Sequence, residues 1–246
     1  MIQPRWPVPL NVKTVCTTRT GGVSMPPYDS LNLGLHVGDD AFHVQQNRKL
    51  LQRSLVAHPV FMEQVHGTRV LEIDATTQNG MQADAAITQA LGVACTVMVA
   101  DCLPILLCNQ QGTCVAAAHA GWRGLAGGVL EATVQSMQSH GCDVADIVAW
   151  IGPCIGPQAF EVGEEVREAF MQHTPAAGSF FQAQGPYKWR ADLAALAQQR
   201  LRSLGVTLIY GNDSSPHWCT VGNESTFFSH RRDRISGRQA ACIWLI

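Results

Sequence analysis

The chain has 246 residues, of which 46% are hydrophobic and 15% are charged, and its formal net charge is −2. This balance argues against a surface that binds nucleic acid or an anionic membrane, and no apolar run approaches the roughly 18 residues that cross a bilayer. The length allows one large domain or two small ones, and we expect a single domain over residues 1–246. Nine cysteines without a CxxC pair favour reduced thiols in a cytoplasmic protein over a disulfide framework.

Hydrophobic periodicity predicts the elements along the chain. In order, we expect a strand at 12–19, a helix at 39–55, two strand pieces within 60–73 bent at Gly67, strands at 94–99 and 115–118, a helix at 126–139, a strand at 146–152, helices at 163–172 and 188–204, and a terminal strand at 239–246. Strands and helices mix without a regular βαβ alternation. The predicted fold is therefore α/β or α+β with a mixed sheet.

Polar side chains interrupt the apolar stretch VMVADCLPILLCNQQGTCVAAAHAGWRG. Cys102 follows one predicted strand, before Leu103 and Pro104 where we expect the chain to turn, and His119 ends the next strand. His66 stands at the strand bend in EQVHG. Two imidazoles and a thiolate form a three-ligand set that suits zinc and leaves a fourth position open; copper is also compatible.

Two other interpretations of these residues remain open. Each of them can be a satisfied core residue, because free cysteine is among the most buried residue types. Alternatively, Cys102 and His119 can form a nucleophile pair in which the imidazole activates the thiol. The spacing alone does not separate these interpretations.

Further candidate residues lie in glycine-rich or polar segments. Arg123 in HAGWRGLAGG and Arg19 in TTRTGG follow strands beside flexible turns and are candidates for binding an anion. Asn32 and His36 lie in a polar loop that can contact a ligand's hydroxyls or base edge. The remaining candidates are Asp84 in ADAAIT, as a catalytic or a turn carboxylate, Cys154 in IGPCIGP, as a pocket or a packing residue, and the charged run 230–233 in FFSHRRD, which we expect to be a solvated face.

Several of these motifs together resemble the bacterial laccase-domain family, whose members have been called polyphenol oxidases and purine nucleoside phosphorylases. The shared motifs cover essentially the whole chain in order: TTRTGGVS, YDSLNLG, QVHG, ADAAIT, ADCLPILL, AAAHAGWRG, IGPCIG, FEVG and FFSHRRD with GRQAACIWL. The resemblance implies a layered α/β sandwich similar to the catalytic domain of the cytotoxic necrotizing factor toxins. It also implies a zinc site held by His66, Cys102 and His119.

The family's activity implies phosphorolysis of adenosine, inosine and methylthioadenosine to the free base and a sugar 1-phosphate, together with deamination of adenosine. On this basis Cys102 and His119 are expected to be catalytic as well as metal-binding, and Asp84 to deliver a proton to the leaving base. We expect Arg19 and Arg123 to orient phosphate. Asn32 and Cys154 are expected to line the substrate pocket, and the protein to be a monomer or a weak homo-oligomer.

Three alternative functions follow from the same residues. Copper-dependent oxidation of phenols is disfavoured because multicopper chemistry uses HxH pairs, and none occurs among the nine histidines. A cysteine hydrolase acting on peptidoglycan precursors would use Cys102 and His119 as a nucleophile pair. A metabolite-binding module with a vestigial site fits least well with an open metal set flanked by arginines.

Overall fold

The computed structural model describes residues 1–246. The strands are β1 Val12–Cys16, β2 His58–Phe61, β3 Val70–Glu72, β4 Ala85–Thr88, β5 Val93–Val99, β6 Leu103–Asn109, β7 Val115–Ala120, β8 Ile147–Ile151, β9 Glu161–Gly163, β10 Phe181–Gly185, β11 Lys188–Ala191, β12 Leu208–Gly211 and β13 Gln239–Leu245. The α-helices are α1 Ala41–Leu55, α2 Trp122–Gly127, α3 Val129–Ser139, α4 Glu164–Met171, α5 Leu193–Ser203 and α6 His230–Asp233. No helix is long and apolar enough to cross a membrane.

The strands form three sheets, two of which are mixed. The six-stranded sheet has the order β12-β8-β6-β7-β4-β3, in which β12 and β8, and β4 and β3, run parallel while the central pairs run antiparallel. The four-stranded sheet has the order β1-β13-β5-β2, with β2 parallel to β5. The third sheet is a small antiparallel one of β10, β11 and β9. The mixed α/β class predicted from the sequence is confirmed.

Side-chain alternation along the central strands explains the layering. In β6, Ile105 and Leu107 pack into one cluster with apolar residues of α3 and α5, whereas Leu106 and Cys108 pack into a second cluster with residues of β5 and β13. Successive side chains of a strand face opposite sides of a sheet, so the six-stranded sheet is covered by helices on one face and by the four-stranded sheet on the other. Leu51 and other α1 residues cover the outer face of that second sheet.

Several element predictions require correction. The expected helix at 188–204 is strand β11 followed by α5, because Asp192 caps the helix by accepting a hydrogen bond from the Ala195 N–H. The expected helix at 126–139 is divided at Gly128, whose φ of 101° ends α2 and precedes α3. Leu103 and Pro104 begin β6 rather than a turn, and Pro104 pairs with His119 across the ladder to β7.

Candidate metal centre between two pockets

Three potential metal ligands converge where β5, β6 and β7 meet. His66, Cys102 and His119 each present a donor atom, and these atoms all lie within 4.8 Å of one another. The Sγ atom of Cys102 lies 3.6 Å from Nε2 of His66, and the two imidazole rings pack edge to face with centroids 4.8 Å apart. The sequence places these residues far apart in the chain, and the antiparallel register of β6 and β7 brings Cys102 next to His119.

Asp84 fixes the orientation of the buried histidine. Its Oδ1 lies 2.8 Å from Nδ1 of His119, and the His119 N–H donates to the Asp84 carbonyl over 2.7 Å. A carboxylate on one ring nitrogen sets the tautomer and leaves the other nitrogen available to a metal. Asp84 and His119 are far apart in the chain but close in space, because β4 and β7 are adjacent and antiparallel.

The same carboxylate also holds the loop that carries His66. It accepts hydrogen bonds from the backbone N–H groups of Val65, His66 and Gly67 over 3.2, 2.9 and 2.7 Å. His66 itself has a φ of 60°, a left-handed conformation that is uncommon for residues other than glycine. Asp84 has no exposed surface. Because all of its contacts are with the protein, its geometry favours a positioning role and not the proton transfer to a leaving base that we expected.

Gly121 allows the close approach of the ligands. A Cβ atom at this position would lie 2.6 Å from Cδ2 of His66 and 3.1 Å from Sγ of Cys102. The space that a side chain would fill is therefore occupied by the ligand cluster itself. The motif HAGWRG thus places its first glycine against the site for steric reasons.

The ligand cluster favours a thiolate and an imidazolium in the metal-free protein. Burial would raise the pKa of the Cys102 thiol, but the charge and hydrogen bond of His119 and a hydrogen bond from His66 lower this pKa to about 6. Burial would lower the pKa of His119, but Cys102 and Asp84 raise it to about 9. For Asp84, the raising effect of burial is outweighed by hydrogen bonds from His119 and Gly67, which lower its pKa. A charged thiolate is the form that binds metals.

Two pockets share a wall made of Cys102, His66, Ala100 and His230. The first, which we call the aromatic pocket, has a volume of about 200 Å³ and is lined in addition by Asp101, Trp122, Arg123, Ile155, Phe160, Leu193 and Arg231. The second, which we call the basic pocket, has a volume of about 320 Å³ and is lined in addition by His36, Gln64, Met98, Val99, His119 and Arg238. The ligand cluster therefore contacts two chemically different spaces.

Asp101 joins the chain around Cys102 to the C-terminal loop. It has a φ of 90°, and its two carboxylate oxygens accept hydrogen bonds from the Thr220 hydroxyl and the Arg231 N–H, each over 2.6 Å. These bonds hold His230 and Arg231 at the pockets. The run 230–233 is therefore not simply the solvated face that we expected, since two of its members line the candidate site.

Three sequence candidates lie away from the ligand cluster. Arg19 stacks on Phe228 and lines a separate polar depression with Asp29 and Glu224. The Asn32 side chain is fully buried and is hydrogen bonded to Gly34, Asp39 and Arg238.

Cys154 is 2% exposed and packs in the core beneath the helices. Burial raises the pKa of its thiol well above the usual value. Asn32 and Cys154, which we expected to line the substrate pocket, line neither of the two pockets, and Arg19 also lies outside them. Arg123, by contrast, lines the aromatic pocket and stacks on Trp122 at 4.3 Å.

Three residues that line the pockets were not predicted to have a role: Arg238, Trp122 and Phe160. Arg238 lies in the terminal GRQAACIWL motif used for the family resemblance, but motif membership alone does not give it a function. His36 was a candidate from its polar loop, and the structure places it in the basic pocket. Partial burial and the charges of Arg238 and Arg48 lower the pKa of His36, which indicates a positive field on this side of the cluster.

The family of the chain follows from its sequence. Residues 13–246 match the model of the family described as multi-copper polyphenol oxidoreductase laccase, and the chain belongs to this family. The resemblance inferred from the motifs is thereby confirmed.

Individual relatives match along nearly their whole lengths. The chain is 51% identical over 248 residues to a protein of Escherichia coli strain K12 named purine nucleoside phosphorylase YfiH, covering 100% of this chain and 99% of that protein. It is 47% identical to purine nucleoside phosphorylase PA4543 of Pseudomonas aeruginosa, with coverage of 99% and 98%. The crystal structure of Neisseria meningitidis protein NMB0706 superposes with a TM-score of 0.94 at 45% identity, covering 99% of this chain and 98% of that one.

Proposed function

We propose that this chain is a zinc-dependent purine nucleoside phosphorylase that cleaves adenosine, inosine and methylthioadenosine with phosphate and also deaminates adenosine. The observation that carries the proposal is the cluster of His66, Cys102 and His119 in the region where two pockets meet. The names of the Escherichia coli and Pseudomonas aeruginosa relatives support the nucleoside and phosphate substrates.

The donor set fits a zinc ion. With Zn–S and Zn–N bonds of about 2.3 and 2.0 Å, tetrahedral coordination separates sulfur and nitrogen by about 3.5 Å, and Cys102 Sγ lies 3.6 Å from His66 Nε2. Asp84 contacts Nδ1 of His119, as carboxylates that orient a metal-binding histidine do. When bound, the metal would polarise an oxygen of a substrate or water. A metal held by these three residues would have a further coordination position available for water or substrate.

The aromatic pocket fits the nucleoside. Purine rings stack favourably on aromatic side chains, and Trp122 and Phe160 line this pocket together with aliphatic residues. In phosphorolysis a phosphate oxygen forms a bond to C1′ of the ribose as the bond from C1′ to the base nitrogen breaks. The electron pair of that bond leaves with the base, and the proton of hydrogen phosphate ends on the base nitrogen. The products are the free base and ribose 1-phosphate.

The family description mentions copper and phenol oxidation, and metal analysis distinguishes this alternative from the zinc enzyme. The chain forms one cluster of three histidine and cysteine donors and has no HxH pair. This donor set supports a single metal site in preference to a multicopper centre. We therefore assign the enzyme to ribosyl transfer from a purine base to phosphate and keep phenol oxidation as the alternative that a copper-bearing, phenol-oxidising protein would establish.

A second candidate function is a cysteine hydrolase. The observation in its favour is the lowered pKa of Cys102, about 6, beside a buried histidine, because a thiolate is the nucleophile in such enzymes. The same thiolate cannot serve as a nucleophile while it binds a metal. The two functions therefore differ in their metal requirement.

The deciding experiment combines elemental analysis with a product assay on one sample purified without added metal. About one zinc per chain, hypoxanthine released from inosine only in the presence of phosphate, and ammonia released from adenosine would support the proposal. A metal-free protein that releases no base, but hydrolyses peptidoglycan-precursor amides until Cys102 is alkylated, would replace it with the hydrolase.

A further inference from the structure

The basic pocket contains an excess of hydrogen-bond donors. Its lining includes no aspartate or glutamate. The one side-chain amide, that of Gln64, already has both polar atoms engaged, because it accepts from the Met98 N–H over 2.7 Å and donates to the Met98 carbonyl over 2.8 Å. Apart from the candidate metal ligands Cys102, His66 and His119, the polar side chains left to meet a ligand are those of His36, His230 and Arg238. Such a lining favours a ligand that only accepts hydrogen bonds and carries negative charge.

Arg238 is held so that part of its guanidinium remains available. Its Nη1 donates to the carbonyls of Ser236 and Gly237 over 2.8 and 3.0 Å. Its Nε and Nη2 make no hydrogen bond within the protein. Neither atom is among the fully buried polar atoms that lack a partner, so both remain accessible. These two nitrogens form the fork of donors that matches two oxygens of a phosphate.

The surrounding residues fix Arg238 in place. Asn32 Oδ1 accepts hydrogen bonds from the N–H groups of both Arg238 and Gly34 over 2.9 Å. Gly34 leaves room for the arginine, since a Cβ atom there would lie 2.8 Å from Cγ of Arg238. The buried Asn32 therefore supports the basic pocket from outside rather than contacting a ligand.

We infer that Arg238 and His36 form the subsite for inorganic phosphate, in the pocket that adjoins the aromatic pocket at Cys102 and His66. The inference rests on the proposed phosphorolysis and adds to it the location of the second substrate. Phosphate in the basic pocket and a nucleoside that extends from the aromatic pocket come together where the two pockets adjoin, and there the bond to C1′ exchanges partners. Neither arginine that we expected to orient phosphate, Arg19 or Arg123, lies in the basic pocket.

The test compares Arg238→Gln and His36→Asn with Arg202→Gln, which removes a positive charge from an exposed position of α5. In the zinc-loaded protein with inosine as substrate, we expect Arg238→Gln to raise the KM for phosphate at least about tenfold, as for the loss of a hydrogen bond to a charged group. His36→Asn should raise the same KM less strongly, and Arg238→Lys should restore part of the loss. The KM for inosine should stay within about twofold in every variant, because the aromatic pocket is unchanged.

Phosphate binding provides a readout that does not need turnover. Titration calorimetry with inorganic phosphate, without nucleoside, should detect binding to the wild-type and Arg202→Gln proteins and its loss in Arg238→Gln. If the wild type binds phosphate in this way but cleaves no nucleoside, the subsite stands and the proposed function fails.

An unchanged phosphate KM in a folded Arg238→Gln protein that still cleaves inosine would overturn the subsite and leave the proposed function intact. If Arg238→Gln does not fold, the exposed His36 carries the test, and an unchanged phosphate KM in His36→Asn overturns the inference.

Discussion

Replacing Gly121 with alanine tests whether the ligand cluster lies where the structure places it. The new Cβ atom would lie 2.6 Å from Cδ2 of His66, whereas carbon atoms in contact are about 3.5–4.0 Å apart. The His66 ring must therefore move by about 1 Å to relieve the overlap. Metal–ligand distances tolerate deviations of only about 0.2 Å, and disturbing even an outer-shell partner costs about 10- to 100-fold in metal affinity. We expect a loss of at least that size in Gly121→Ala.

The measurement is competition for zinc against a chromophoric chelator, with thermal unfolding of the metal-free protein recorded in parallel. Gly121 has a φ of −65°, which alanine adopts freely, so the unfolding midpoint without metal should change little. Gly127→Ala is the matched control, because its Cβ atom would meet only Cγ2 of Thr68 at 3.3 Å and Gly127 ends the short helix α2 that Gly121 precedes. Wild-type zinc affinity in Gly121→Ala would refute the close packing of Gly121 against His66 and Cys102.

Three further predictions concern the residues around the cluster. Asp84→Asn should lower zinc affinity about 10- to 100-fold and lower the free energy of unfolding, because the amide cannot accept all the hydrogen bonds from the 65–67 loop and His119. Equilibrium dialysis measures the affinity and denaturant unfolding measures the stability. An unchanged zinc affinity would contradict the positioning role of Asp84. Cys102→Ala should lose both zinc and phosphorolysis while Cys154→Ala keeps the metal, as elemental analysis would reveal; zinc retained in Cys102→Ala would remove that residue from the ligand set. In metal-free protein, the Cys102 pKa of about 6 means that the alkylation rate of this thiol should stay near its maximum as the pH falls from 8 to 7 and halve only near pH 6. Bound zinc should block the reaction, and mass spectrometry of iodoacetamide adducts measures both effects. An alkylation rate that falls about tenfold between pH 8 and pH 7 would indicate an ordinary thiol.

Local periodicity determined most of the elements. Strands β5, β7, β8 and β13 and helix α1 lie within a few residues of their predicted positions, because continuous apolar runs and three-to-four spacing reflect burial that each segment needs by itself. The errors arose where pairing with other segments decides the conformation. Residues 188–191 form a strand because they pair with β10 across a tight turn and with β9 on the other side, and the periodicity within the segment does not report those partners.

The candidate ligands themselves were visible in the sequence. A thiol and two imidazoles in an apolar setting need partners, since unpaired buried polar groups are costly, and His66, Cys102 and His119 do meet in the structure. Their meeting depends on the register of β6 against β7 and on a loop that Asp84 holds from another strand. Spacing along the chain carries no information about either.

The substrate side of the site was decided mainly by tertiary structure. Arg19, Asn32 and Cys154 have the same local features as true pocket residues, namely a polar or reactive side chain beside a glycine or proline turn, yet all three lie outside the two pockets. Arg238 and His36, separated by about two hundred positions, line one cavity. A sequence specifies which side chains require burial or charge partners. The packing of the two sheets against each other specifies which of these side chains share a cavity, because it brings together segments that are far apart in the chain.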